Sequence, residues 1–185
     1  MKKGFPARGI VSCRITPTEA LKDYVDFLVN PSMRKQNSFI KDTKHVLQKV
    51  HEANMSGKVT ENTNLVSADF ENMYCKMPLQ LSTEGIRNFC QKEGFLGEDE
   101  KPNTEEVLEA LEICQENNAL EFNGKLYRQK KGHATGQKQA PPLACAGAGL
   151  AEEQWFSNPQ VAELFAEYGR NIDDILSLFE GENVN

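Results

Sequence analysis

Tyr168-Gly169-Arg170-Asn171-Ile172-Asp173-Asp174-Ile175-Leu176 sets two adjacent acids between apolar flanks. Aspartate is disfavoured in strands, and neighbouring like charges repel. The pair therefore belongs at a turn or beside a cation, and the flanks read as a hairpin over Gly169 to Phe179. A lone Asp-Asp is ordinarily a surface turn. Its weight comes from a second stretch, Leu65-Val66-Ser67-Ala68-Asp69-Phe70, an apolar strand candidate that ends on an acid. A carboxylate finishing a buried strand is costly unless it caps something or binds metal. One strand-end acid and two hairpin-tip acids, side by side in an antiparallel sheet, would offer oxygen ligands to two hard cations.

Working outward, Met1 to Thr16 alternates around Gly9-Ile10-Val11-Ser12 and reads as a short strand or hairpin. Thr16-Pro17-Thr18-Glu19 has the form of a capping box with proline at the first helical position. Leu21, Tyr24, Val25 and Leu28 then follow helical spacing until Asn30-Pro31 breaks the helix. A second helix carries Phe39, Ile40, Leu47 and Val50 on one face and ends near Asn54-Met55-Ser56-Gly57. Short helices are expected after Ser82 and after Asn103, the latter with Glu106 placed for a capping box. Asn123-Gly124 predicts a type I′ hairpin over Leu120 to Tyr127. A basic, glycine-bearing segment, Gly132 to Gln139, leads through Pro141-Pro142 into an Ala/Gly-rich helix over Leu143 to Trp155. Its small residues let another backbone or a ligand come close. Asn158-Pro159 starts one more short helix.

Hydrophobic residues make up 39% and charged residues 26% of the 185, as in an ordinary globular chain. No apolar run approaches the roughly 20 residues a membrane span needs, and no signal-peptide pattern opens the chain. Cys13, Cys75, Cys90, Cys114 and Cys145 are dispersed, without a CxxC pair. That pattern argues against a disulfide framework or a zinc site and for a reducing compartment. The chain is expected to be intracellular, nuclear or cytoplasmic, not secreted and not membrane-bound. Net charge is −6, but residues 1–50 carry 10 Lys/Arg against 4 Asp/Glu, leaving −12 on the remainder. A basic lobe set against an acidic one can attract a phosphate backbone locally.

The two acidic stretches resemble motifs of reverse transcriptases, most closely the Penelope-like retroelement group. Leu65 through Asp69-Phe70-Glu71-Asn72-Met73-Tyr74, followed by Met77-Pro78, is similar to motif A. Phe122 to Gln129, then Gly132-His133-Ala134-Thr135-Gly136 and Ala140-Pro141, is similar to motif B, and Tyr168 to Leu176 to motif C. Lys3-Gly4-Phe5-Pro6-Ala7-Arg8-Gly9-Ile10-Val11-Ser12 resembles the basic strand of the fingers. The resemblance implies an α+β fold: an antiparallel palm sheet packed by helices, with a small basic fingers part. Residues 1–60 would be the fingers-like region and 61–185 the palm, with fingers segments partly interleaved. The chain stops a few residues past Asp174, so a thumb is expected to be absent and a longer relative to carry it.

The activity implied is RNA-directed DNA synthesis by two-metal nucleotidyl transfer, in a truncated copy of a retroelement polymerase. Asp69, Asp173 and Asp174 would be the catalytic ligands of two Mg²⁺ ions, with Mn²⁺ as a substitute. Partners would be an RNA template, a DNA primer and deoxynucleoside triphosphates. Tyr74 would pack under the incoming sugar, next to Phe70. Arg8 with Lys3 or Lys2 would hold the triphosphate, and Gln129, Gly132 and Gly136 would line the nucleotide and template side. Gly9, Thr135, Gln137, Gly169 and Asn171 depart from the family pattern. The alternatives are a catalytically inactive nucleic-acid-binding remnant and an unrelated acidic α+β domain.

Overall fold

The computed structural model describes residues 16–93 and 102–181. The strand or hairpin expected over the opening residues, with Lys2, Lys3 and Arg8, falls outside the described residues. Helix α1 is Glu19–Val29. The cap residue is Thr18, whose side chain makes no capping bond, and not the expected Thr16. Instead the Glu19 amide donates to the Thr16 carbonyl at 3.0 Å, so Pro17 sits second in a tight turn that precedes the helix. Asn30-Pro31 ends α1 and opens the short α2, Pro31–Arg34. Helix α3, Thr43–Met55, is capped by Asp42 and begins later than the periodicity from Phe39 suggests. Residues 38–40 are drawn out by non-local pairing, with Ile40 N–H on the Arg170 carbonyl at 2.9 Å.

Strand β1, Thr63–Asp69, is followed by α4, Met73–Lys76, and α5, Leu79–Glu93. Helix α6, Thr104–Glu116, carries the capping box expected of Asn103 and Glu106. Strands β2, Ala119–Phe122, and β3, Lys125–Arg128, form the expected hairpin. Its two turn residues, Asn123 and Gly124, have φ of 53° and 71°, as a type I′ turn demands. Helix α7, Ala140–Phe156, holds both prolines in its first turn, where their missing N–H groups cost nothing. Then come α8, Pro159–Ala162, and strands β4, Phe165–Asn171, and β5, Asp174–Glu180. The architecture is α+β: a three-stranded antiparallel sheet in the order β1-β5-β4, packed by helices.

Helix α7 is the joint between the helices and the sheet. On one side α1, α5, α6 and α7 close over Val25, Ile86, Val107, Leu111 and Leu143. Burying a side chain such as Ile86, fully enclosed, stabilises by roughly 1.5–3 kcal/mol. Small residues bring α5 and α7 into near contact: a Cβ on Gly85 would lie 2.3 Å from the Ala146 carbonyl oxygen. On the far side of the sheet, α3 packs Val50 and Ala53 against Ala166 and Leu178. Ile40 there fills the space a Cβ on Gly169 would need, which explains glycine at that position of the hairpin. Strand β1 departs from the buried strand expected of it, because it is an edge strand with Leu65 66% and Val66 40% exposed. No helix among the described residues is long and apolar enough to cross a membrane.

Candidate functional site

The sheet brings the expected acids to one end. Asp69, the last residue of β1, stands directly opposite Asp174, the first of β5, and Asp174 in turn faces Asn171 of β4. Directly opposed residues of an antiparallel pair project on the same side of the sheet. Asp69 and Asp174 therefore share a face at its turn end, and both are exposed. Asp173 lies in the connecting turn and is half-buried. The Phe70 amide donates to the Asp173 carbonyl at 2.9 Å, so the β1–β5 pairing runs one step past Asp69 and ties the two acidic segments together.

The turn itself is strained. It has two residues, Ile172 and Asp173, and Ile172 has a φ of 56°. Glycine normally takes such a first turn position, and a β-branched residue there costs of order 1–3 kcal/mol. Two features hold it. The Ile172 side chain packs with Phe70 and Tyr74 against Met73, Met77, Ala144, Cys145 and Ala148. Its carbonyl accepts a hydrogen bond from Arg170 Nη1 at 2.9 Å.

Tyr74, on α4, sits beside this turn. Its burial, together with the negative charge of Asp173, raises its phenol pKa. The glycine-bearing loop expected to line the site packs against the same helix. The His133 amide donates to the Tyr74 carbonyl at 2.6 Å, and His133 Nε2 meets Ser82 Oγ at 2.8 Å. Burial lowers the His133 pKa to about 4, so the ring is neutral at ordinary pH. Gly132, φ 68°, is where it is because a Cβ would lie 2.3 Å from the Cys75 carbonyl oxygen. Gly136 is exposed, and Gln129 is half-buried with its amide on the Asn118 carbonyl at 3.0 Å. Thus Asp69, Phe70, Tyr74, Gly132 and Asp173 are brought together through α4, while Gln129 and Gly136 stand further along the loop. Gln137 is buried and donates to Asn118 Oδ1 at 2.6 Å, which explains its departure from the family pattern. Lys138 pairs with Asp23, 2.9 Å away.

A second enclosed polar cluster, to which the sequence motifs assign no role, lies between α7 and β4. Glu152, which follows the small residues of α7, is 4% exposed, and Arg170 is 2% exposed. The Glu152 carboxylate accepts from Arg170 Nε and Nη2, from Ser38 Oγ at 2.6 Å and from the Tyr168 hydroxyl at 2.9 Å. Gln36 Oε1 accepts from Arg170 Nη2 at 2.7 Å. The available signal was an acid inside an Ala/Gly-rich helix and an arginine inside an apolar hairpin, each too costly to bury alone.

The donor set at the sheet end is three carboxylates, the hard oxygen ligands that Mg²⁺ and Mn²⁺ take. Among the described residues no three acids, histidines or cysteines gather closely enough to hold a metal as the side chains stand. The backbone thus brings the acids to one edge, and their carboxylates are not drawn in.

No family model matches the chain, and no curated protein matches it. Solved structures do. The chain is similar to apo telomerase from Candida tropicalis, with a TM-score of 0.65 at 13% identity over 89% of this chain and 31% of that one. A form of that telomerase truncated from its C-terminal domain matches at 0.61 and 12% identity, over 91% of this chain and 35% of the other. Telomerase from Candida albicans in complex with a fragment of telomeric RNA matches at 0.55 and 12% identity, over 86% and 29%. The chain spans about a third of the length of these structures, and the likeness is one of fold.

Proposed function

We propose that the chain is the fingers-and-palm core of an RNA-directed DNA polymerase of the retroelement kind, most like the Penelope-like group. The observation that carries this reading is the pairing of Asp69 with Asp174 beside a turn that presents Asp173. The fold likeness to telomerases, one of them held with telomeric RNA, supports a nucleic-acid partner. Asp69, Asp173 and Asp174 would hold two Mg²⁺ ions, which would supply charge neutralisation for the transferring phosphoryl group and a lowered pKa for the attacking hydroxyl. The chain's own residues would orient the reactants. Tyr74, beside Asp173 and packed with Phe70, would lie under the sugar of the incoming deoxynucleotide and exclude a 2′-hydroxyl. Gln129, Gly132 and Gly136 would line the template side, and Lys3 and Arg8 would meet the triphosphate. Residues 1–60 would form the basic fingers-like part and residues 61–185 the palm.

An inactive nucleic-acid-binding remnant is the second reading, favoured by the carboxylates' not being gathered in the structure. Incubation with a primed RNA template, Mg²⁺ and deoxynucleoside triphosphates separates the two. Primer extension that vanishes in Asp69→Asn and Asp173→Asn supports the polymerase. Template binding without extension, unchanged in both variants, supports the remnant.

A further inference from the structure

Resting on that reading, we infer that Arg170 is a positioning residue, clamping the strained Ile172–Asp173 turn so that Asp173 is presented beside Asp69. Arg170 Nε and Nη2 are committed to Glu152 of α7, and Nη2 also reaches Gln36. The remaining nitrogen, Nη1, donates to the Ile172 carbonyl at 2.9 Å and meets Cys145 Sγ at 3.4 Å. One planar guanidinium therefore connects the buried carboxylate of α7 with the carbonyl of the one residue in this hairpin that has positive φ. Only arginine offers that fork: a lysine can neutralise Glu152 as a point charge but cannot reach two sites at fixed angles.

The clamp's position makes sense of its burial. A buried ion pair is weak evidence for stability, since a well-packed apolar pair often does as well. Here the pair also does something an apolar pair cannot, which is to donate to a turn carbonyl. The Arg170 backbone is fixed as well, its N–H on the Ser38 carbonyl at 2.6 Å and its carbonyl on the Ile40 amide. The side chain thus works from an anchored strand onto the strained turn. Downstream, the Asp173 carbonyl receives the Phe70 amide at 2.9 Å, so the turn's position can be read at Phe70.

The test is amide hydrogen exchange on the full chain, comparing Arg170→Lys with Tyr168→Phe. Both perturb the bonds to Glu152, but only the first removes the donor to Ile172. Expected in Arg170→Lys is at least tenfold faster exchange at Phe70, with amides of α7 still protected and Mn²⁺-induced broadening of the Phe70 and Asp173 signals shifted to about tenfold higher Mn²⁺. Tyr168→Phe should leave the Phe70 rate unchanged. If Arg170→Lys does not fold, the neutral double variant Arg170→Gln/Glu152→Gln removes both charges together and is the less disruptive change. It should show the same selective loss at Phe70. Unchanged Phe70 exchange, or equal acceleration at Phe70 and throughout α7, overturns the clamp. Absence of Mn²⁺ broadening in the unaltered chain would sink the two-metal reading instead, while the exchange result still decides the clamp.

Discussion

Asp69 and Asp174 face each other across the β1–β5 pair, two carboxylates directly opposed at the end of a sheet. Like charges in that relationship repel, and neither has a cationic partner within ion-pair distance among the described residues. Asp69→Asn should therefore stabilise the metal-free chain by about 0.5 kcal/mol. In millimolar Mg²⁺ the sign should reverse, because only the unaltered chain gains from binding the ion. Thermal melts with and without Mg²⁺ measure both. A variant equally stabilised in the two conditions would mean the pair binds no cation.

The α5–α7 crossing should be intolerant of even one added methyl group. In Gly85→Ala the new Cβ would lie 2.3 Å from the Ala146 carbonyl oxygen, a backbone atom that cannot rotate away. The expected loss is about 3 kcal/mol, despite alanine's better helix propensity of roughly 1 kcal/mol. Urea denaturation followed by circular dichroism checks it, and a neutral substitution would contradict the packing described.

Acid should destabilise the chain through His133. Burial lowers its pKa to about 4 in the folded state, whereas the unfolded ring binds its proton near 6.5. Between those values the unfolded chain holds more protons, so stability falls as pH drops from about 6.5 to about 4 and is fully present above. The contribution is of order 3 kcal/mol. Urea midpoints across that range should flatten in His133→Gln. An equally steep profile in the variant would assign the acid sensitivity to other groups.

Tyr74→Ala should relax discrimination against ribonucleotides by about tenfold in primer extension with competing substrates, because the ring would no longer occupy the 2′-hydroxyl's space. The ring is half-buried beside Asp173 and packs with Phe70 and Ile172. Unchanged selectivity with lowered stability would place it in the core alone.

What was legible in the sequence follows locality. The Asn123-Gly124 turn, the Asn103/Glu106 capping box and the hairpin around Asp173-Asp174 are short-range signals, and all three appear in the structure. Phe39 and Ile40 have helical spacing, but backbone pairing with Arg170, more than a hundred residues away, outweighs it. β1 was read as buried from its apolar residues, yet edge position is a property of sheet order. The acids of the site were visible as residue types, but the Arg170–Glu152 network was not. Its members come from three segments, and only their meeting removes the cost of burying each charge.

Whether Asp69, Asp173 and Asp174 together bind the ions of nucleotidyl transfer is tested most directly by anomalous scattering from crystals soaked in Mn²⁺ and a deoxynucleoside triphosphate. Two Mn²⁺ ions about 3.5–4 Å apart are expected at these three carboxylates. Crystals with no ion at these acids, or with Mn²⁺ held only elsewhere on the chain, would contradict that expectation.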